Sequence, residues 1–318
     1  MKEITDYSKV FETIVEKTAK YLVDNNIKAQ ILGISGGIDS TVVAAICHEV
    51  SKRTNIPLIG RSLPTTNNKT NEVSTADLVG KAFCNDYKVY PIDRFYHQFM
   101  IDIVHKETGS VRYVQNEYTG GFTIDLEDCL KFQTPIANGN IQARLRMIYL
   151  YNLASIHKGL VMDTDNLTEN NLGYFTIHGD VGDFNPIGGL WKTEVFELAK
   201  WLMNWYGSYT HTYFYTDAPE IIDYKQGNLA KAVAIKESLK LKPTAGLGIT
   251  NNDLEEIGAE SYEQVDRVLQ FFTDETVPVS TVEDIPNEIF DAIIKRYNSS
   301  KFKRKQLPIK ITRDEILL

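Results

Sequence analysis

The sequence predicts an α/β protein built on a doubly wound parallel sheet, and three observations carry that reading. Short apolar runs recur at residues 29–34, 56–64, 87–92 and 160–164. The segments between them place apolar residues at helical spacing, so strand and helix alternate as in parallel crossover units. The first run passes through a Ser-Gly-Gly turn, residues 35–37, directly into a helical pattern. In open parallel sheets that place, beyond the carboxyl end of a strand, is where ligands bind.

The elements follow in order. Residues 8–27 put Phe11, Ile14, Val15, Ala19, Leu22 and Val23 on one helical face. "AQILGI" (29–34) is short, apolar and broken by a glycine, hence a buried strand, and 38–52 is the next helix. "IPLIGRSLP" (56–64) reads as a strand, 71–84 as a helix, "YKVYPI" (87–92) as a strand, with a helix near 94–105. Residues 106–138 break the alternation and read as a long excursion over the active edge. "GNIQARLRMIYLYNLASIHKG" (139–159) is a strong helix stopped by Gly159. "LVMDT" (160–164) is a buried strand, 165–190 a polar glycine-rich loop, and 191–205 a helix. Residues 206–243 are irregular apart from a helix at 228–240, and 251–318 read as helical with a basic tail. No repeat, low-complexity tract or clean linker divides the chain, so one domain over 1–318 is expected.

Composition narrows the function. The 318 residues are 43% hydrophobic and 24% charged, with a net charge of −8, which excludes a general nucleic-acid footprint. The N-terminus is charged and amphipathic rather than a signal peptide, and no run reaches the roughly 18 apolar residues a membrane span needs. Cys47, Cys84 and Cys129 are scattered and odd in number, forming neither a disulfide framework nor a metal pair. A reduced, cytoplasmic setting is expected, with no nucleic-acid or membrane partner.

The turn in "ILGISGGIDSTVV" lacks the spacing of a Walker loop and of a G-x-G-x-x-G fingerprint. Gly36 and Gly37 still let the backbone approach an anion without a Cβ clash. The N–H groups opening the helix at Ile38 would face that anion, aided by the helix dipole and by the hydroxyls of Ser35, Ser40 and Thr41. Asp39 would repel phosphate unless a cation lies between them. Mg²⁺, a hard ion that takes oxygen ligands, resolves the conflict.

Ser-Gly-Gly-x-Asp-Ser after a first strand resembles the signature of the N-type ATP pyrophosphatases, whose fold is adenine-nucleotide alpha hydrolase-like. These enzymes cleave ATP to AMP and pyrophosphate while adenylating a substrate. Further motifs resemble the ammonia-dependent NAD(+) synthetases within that superfamily. "GNIQARLRM" (139–147) is similar to their G-N-x-x-A-R-x-R-M helix. At i, i+2, Arg144 and Arg146 point to different faces, so one can meet a ligand while the other is structural; the resemblance assigns Arg144 to deamido-NAD. "DTDNLTENNLGYFTIHGDVGDFNPIGGLWKTE" (163–194) is similar to the second ATP and substrate loop. "KPTAGL" (242–247), "SYEQVDRVL" (261–269) and "KFKRKQLP" (301–308) resemble three later segments.

The resemblance implies a set of roles. ATP binding falls to Gly33, Ile34, Ser35, Gly36, Gly37, Ile38, Asp39, Ser40, Thr164, Lys192 and Thr244. Mg²⁺ falls to Asp39 and Glu169. Deamido-NAD falls to Arg144, Asp183, Lys303 and Arg304, with His178 as a polar stand-in where the family has a lysine. The base that deprotonates ammonium is Asp180 or Asp183. The implied reaction is ATP-dependent amidation of deamido-NAD with ammonia to NAD⁺, through an acyl-adenylate, by a homodimer with its substrate site at the interface. The alternatives are another ATP-pyrophosphatase-type amidotransferase and a catalytically inactive nucleotide-binding module. Three features depart from the pattern. Ile177-His178 stands where the family often has a lysine before the aromatic-Gly-Asp, the loop from His178 to Pro186 is about one residue short, which bears on the Asp183 assignment, and residues 106–132 and 224–241 read as insertions.

Overall fold

The computed structural model describes residues 4–100, 113–115, 122–124, 134–208, 219–242, 253–306 and 309–317. Helix α1 (Tyr7–Asp24) is capped by Asp6 and followed by β1 (Gln30–Gly33), α2 (Ile38–Thr54), β2 (Leu58–Ser62), α3 (Thr70–Phe83), β3 (Asp86–Val89) and α4 (Asp93–Phe99). In the excursion, β4 (Tyr113–Gln115) and β5 (Phe122–Ile124) pair antiparallel. Next come α5 (Pro135–His157), β6 (Leu160–Val161), α6 (Leu167–Leu172), β7 (Phe184–Asn185), α7 (Lys192–Ser208) and α8 (Pro219–Leu239). The chain ends with α9 (Asp253–Ile257), α10 (Tyr262–Thr273), α11 (Asn287–Ser299), β8 (Ile309–Lys310) and α12 (Arg313–Ile316).

The main sheet is parallel, in the order β3-β2-β1-β6. The chain leaves β1 toward β2 and returns on its other side as β6, so a switch point lies at the carboxyl ends of β1 and β6. Met162 bridges to Phe184, and β7 pairs parallel with β8. These two-residue strands fall in segments read as loop and helix, because two residues show no period-2 pattern.

Strand side chains alternate between two apolar layers. Leu32 and Leu58 enter a core with α1, α2, α3, α7 and α8. Ile31 and Ile59 face α4 and α5 through Tyr96, Leu145 and Leu150. A third cluster joins Leu172 and Trp191 to Val265, Leu269 and Ile293 of the C-terminal helices.

Two boundaries differ from expectation. Helix α5 starts at Pro135 rather than 139, because the Thr134 hydroxyl accepts the Ala137 N–H at 3.1 Å and proline suits a first helical turn. Helix α8 starts at Pro219 rather than 228, and its Ala234, Ile235 and Ser238 are fully buried in the main core. The stretch 224–241 is therefore part of the load on α2, α3 and α7 rather than a loose addition. Thr244, the rest of "KPTAGL" after Lys242, and residues 101–105 lie outside the described residues. Among the described residues, no helix is long and apolar enough to cross a membrane.

Candidate active site

The turn after β1 is held by its surroundings. Gly36 has φ +86°, and a Cβ there would sit 2.6 Å from the Glu72 carbonyl oxygen and 2.8 Å from the Ala76 nitrogen, so only glycine fits. The Gly37 carbonyl accepts from Ser40 Oγ at 3.0 Å and Thr41 Oγ1 at 2.9 Å. Ser35 Oγ accepts the Gly37 N–H at 3.2 Å and lies 3.0 Å from Ser40 Oγ. Gly37 caps α2 without a side chain, leaving the helix opening clear for an anion.

Three helix starts meet at this turn. Asp39 lies in the first turn of α2, Glu169 in the first turn of α6, and Lys192 opens α7. Lys192 Nζ donates to Asp39 Oδ2 at 2.5 Å and to Glu169 Oε1 at 2.8 Å, with the lysine side chain only 1% exposed. Burial works against that charge, but Asp39 and Glu169 outweigh it and hold the ammonium well above the usual lysine range. Asn166 ties the carboxylates together. Its Nδ2 donates to Asp39 Oδ1 at 2.9 Å, and its Oδ1 accepts the Glu169 N–H at 3.0 Å. Helix α10 supports the group from behind. Tyr262 places its ring 5.5 Å from Lys192 Nζ. Asp266 accepts from the Thr193 N–H at 3.0 Å, from Thr193 Oγ1 at 2.8 Å and from Thr168 Oγ1, which itself accepts the Lys192 N–H at 2.9 Å. Burial pushes the Asp266 carboxyl up to about 6.

Asp39 and Glu169 thus present hard oxygen donors around one positive charge. Among the described residues, no three His, Cys, Asp or Glu side chains converge enough to hold a metal. A two-carboxylate set fits Mg²⁺, which fills its remaining positions with water and phosphate oxygens.

Beyond β6 lies a second acidic group. Asp163 is buried and accepts the Asp165 N–H at 2.7 Å, the Gly182 N–H at 3.0 Å and Asn185 Nδ2 at 3.2 Å; burial pushes it up to about 7. Burial also raises Asp165, reinforced by Asp163 and Asp180. Asp180 accepts the Thr176 N–H at 2.7 Å. Its side chain is exposed at the surface, yet desolvation by the protein packed around it pushes its carboxyl up to about 6. Asp183 Oδ2 accepts the Val161 N–H at 2.9 Å, which ties it to the edge of β6. Thr164 lies three residues beyond the end of β6 and is half-buried.

The cleft itself measures about 530 Å³ and is lined by Arg144, Met147, Tyr151, Phe175, Ile177 and His178. Arg144 is exposed and donates from Nε to the Ile177 carbonyl at 3.3 Å. Arg146 turns away and donates to the Leu63 carbonyl at 2.9 Å. The two arginines divide as their spacing implies. His178 is exposed, with φ +59°, at the tip of the turn before Asp180.

The basic tail is part of the wall. Lys303 Nζ donates to the Gly173 carbonyl at 2.7 Å and to that of Phe175. Arg304 donates to the carbonyls of Asn171 at 2.7 Å and Tyr297 at 2.8 Å. Both grip the end of α6, where the helix dipole favours cations. Reasoning from sequence missed Asn166, Asp163, Asp165 and the function of Asp266. The only signals were the Asn166-x-x-Glu169 capping spacing and the Tyr262-x-x-Val-Asp266 segment.

The family model for NAD synthase matches residues 10–307. The NH(3)-dependent NAD(+) synthetase of Thermoplasma acidophilum is 30% identical, over 94% of this chain and 96% of that protein. That of Methanococcoides burtonii is 30% identical, over 94% of this chain and 93% of its own length. Among solved structures, NMN synthetase from Francisella tularensis has a TM-score of 0.66 at 24% identity, covering 95% of this chain and 97% of that one. The NH3-dependent NAD synthetase from Campylobacter jejuni has a TM-score of 0.59 at 22% identity, covering 96% and 98%. At these identities the solved structures speak for the fold alone, and they agree with the α/β parallel sheet.

Proposed function

The chain belongs to the NAD synthase family, and from that premise we propose that it amidates deamido-NAD with ammonia, converting ATP to AMP and pyrophosphate. One observation carries this reading: Asp39, Glu169 and Lys192 converge at a glycine turn shaped for an anion.

A nicotinate carboxylate is a poor electrophile, since its charge repels nucleophiles and oxide leaves badly. The carboxylate oxygen attacks the α-phosphorus of ATP, the bond to the β-phosphate breaks, and an acyl-adenylate forms. The Ser35–Ser40 turn and Lys192 stabilise charge growing on the departing pyrophosphate, the electrostatic effect that usually dominates such steps. Asp39 and Glu169 are the residues to hold Mg²⁺, which supplies charge neutralisation to the phosphates when bound. Thr164 and Thr244 complete the ATP set. Arg144, His178, Lys303 and Arg304 serve the deamido-NAD side, the last two by holding the wall from Asn171 to Phe175. Ammonium then gives a proton to a carboxylate, ammonia attacks the acyl carbon, and AMP leaves. A pKa of about 6 suits Asp180 to that base role, with Asp183, three residues on and bonded to the edge of β6, as the other candidate.

A homodimer completes the site. Ile148 and Tyr151 line the cleft and are exposed on α5, as is Ile156 of the same helix. An outward apolar face of this kind suits a second copy. Ile148→Asp is expected to give monomers in sedimentation; an unchanged oligomeric state removes the interface from this helix.

The direct test is purified protein with deamido-NAD, ATP, Mg²⁺ and ammonium. NAD⁺ and AMP are expected in equal amounts. Absence of both sinks the reading. Glutamine in place of ammonium is expected to give no product, and nicotinic acid mononucleotide beside deamido-NAD measures the preference for a dinucleotide.

A further inference from the structure

We propose that Ser238 of α8 is a positioning residue of the phosphate turn, setting the affinity for ATP and pyrophosphate from outside every motif that marks the site. The proposal rests on the ATP reading above and adds a residue to it.

A turn that holds an anion must present N–H groups and turn its carbonyls away. Ser238 Oγ donates to the Gly36 carbonyl at 2.8 Å. That oxygen only accepts, so it takes the single Ser238 proton. Thr41 Oγ1 lies 2.9 Å from Ser238 Oγ and 2.9 Å from the Gly37 carbonyl, so its own proton is shared between those two acceptors. The Gly37 carbonyl is further satisfied by Ser40 Oγ at 3.0 Å and the Thr41 N–H at 3.1 Å. The Gly36 carbonyl shows a bond to Ser238. Without it, that carbonyl has a reason to turn toward the ligand side.

Gly36 is also crowded by α3. The α3 backbone stands 2.6 and 2.8 Å from where its Cβ would be, so the turn has little room to shift in that direction. Ser238 is 0% exposed, and water does not replace its hydroxyl. Ala234 and Ile235, both 0% exposed, anchor the same helix in the main core. The bond spans 202 residues of sequence. It reaches the turn from the stretch that reads as an insertion and that leads into Lys242 and Thr244.

The test is calorimetric titration of α,β-methylene-ATP with Mg²⁺, and of pyrophosphate with Mg²⁺, which needs no turnover. Four proteins are compared: the wild type, Ser238→Ala, Ser238→Cys and Ser51→Ala. Ser51 is a control on the same α2 helix, where it makes a 3.0 Å hydroxyl bond to Asn85 away from the turn. Ser238→Ala is expected to weaken both ligands about tenfold, the effect of leaving one buried acceptor unpaired. Ser238→Cys, with a weaker donor, should fall between and keeps the test alive if the alanine variant does not fold. Ser51→Ala should bind as the wild type does. Wild-type affinity in both Ser238 variants overturns the proposal and leaves the ATP reading standing. Equal weakening by Ser51→Ala overturns it as well, since the effect would then be general. A wild type that binds neither ligand removes both readings.

Discussion

The two ends of the proposed site, one for ATP and one for the acceptor, are built differently. At the ATP end, Lys192 is buried and pairs with both Asp39 and Glu169, and Asn166 and Thr168 hold the three in place. Asp266 and Tyr262 brace them from α10. At the acceptor end, Arg144 is exposed with one 3.3 Å bond among the described residues, His178 stands in the left-handed region, and Asp180 is exposed. Charge that must stabilise a departing pyrophosphate is useful only if it is in place beforehand. The acceptor end receives a ligand that brings its own surface, so it can stay open until that ligand, or a second copy, closes it.

The contrast can be broken hardest at Lys192. Lys192→Met leaves Asp39 and Glu169 facing each other, and is expected to cost about 3–5 kcal/mol in urea unfolding along with nearly all turnover. Added Mg²⁺ should recover part of that stability, and indifference to Mg²⁺ would separate the carboxylate pair from any metal. Next comes Asp180→Asn. Loss of the base is expected to lower kcat about 100-fold or more. In the wild type, activity should rise with pH through about 6 as Asp180 deprotonates, and the variant should lose that limb. A limb that survives assigns the base elsewhere.

Arg144→Ala sharpens the division between the two ends. The KM for deamido-NAD should rise about tenfold, the size of one charged hydrogen bond, with the KM for ATP unchanged. Equal rises in both would erase the distinction. The smallest effect concerns stability. Asp163 and Asp266 have folded pKa values of about 7 and about 6, above the ordinary carboxyl range near 4. Proton binding therefore favours the folded state. The contribution is complete below about pH 4 and is lost as pH rises through 6 and 7. Thermal midpoints should fall across that window, and Asp163→Asn should reduce the fall by roughly 2–4 °C. A wild-type midpoint that climbs from pH 5 to 7 would contradict the burial argument.

Reading the sequence worked where the physics is local. The turn from Ser35 to Ser40 needs two glycines and a helix start, and those stand adjacent in the chain. Arg144 and Arg146 separate because i, i+2 positions on a helix diverge. It was silent where a residue's contacts depend on distant backbone. The sequence of Lys303 and Arg304 shows only a basic motif, and the fold adds that their donors hold the carbonyls of Asn171, Gly173 and Phe175. Residues 224–241 carry no motif, yet Ala234, Ile235 and Ser238 are buried in the main core. Strands β7 and β8 were invisible for the same reason, since a two-residue strand exists only through its partner.

By itself the sequence determined the alternation of strand and helix, the place of the anion turn, and the residue types around it. These follow from side-chain period, glycine's freedom and charge, which act over a few residues. The tertiary structure decided that Asp39 and Glu169 share one ammonium, with Asn166 between them and Asp266 behind. It also decided which carboxyls are pushed up and which arginine faces the cleft. Those outcomes depend on desolvation and on distances between groups far apart in the chain, and neither exists until the chain has packed.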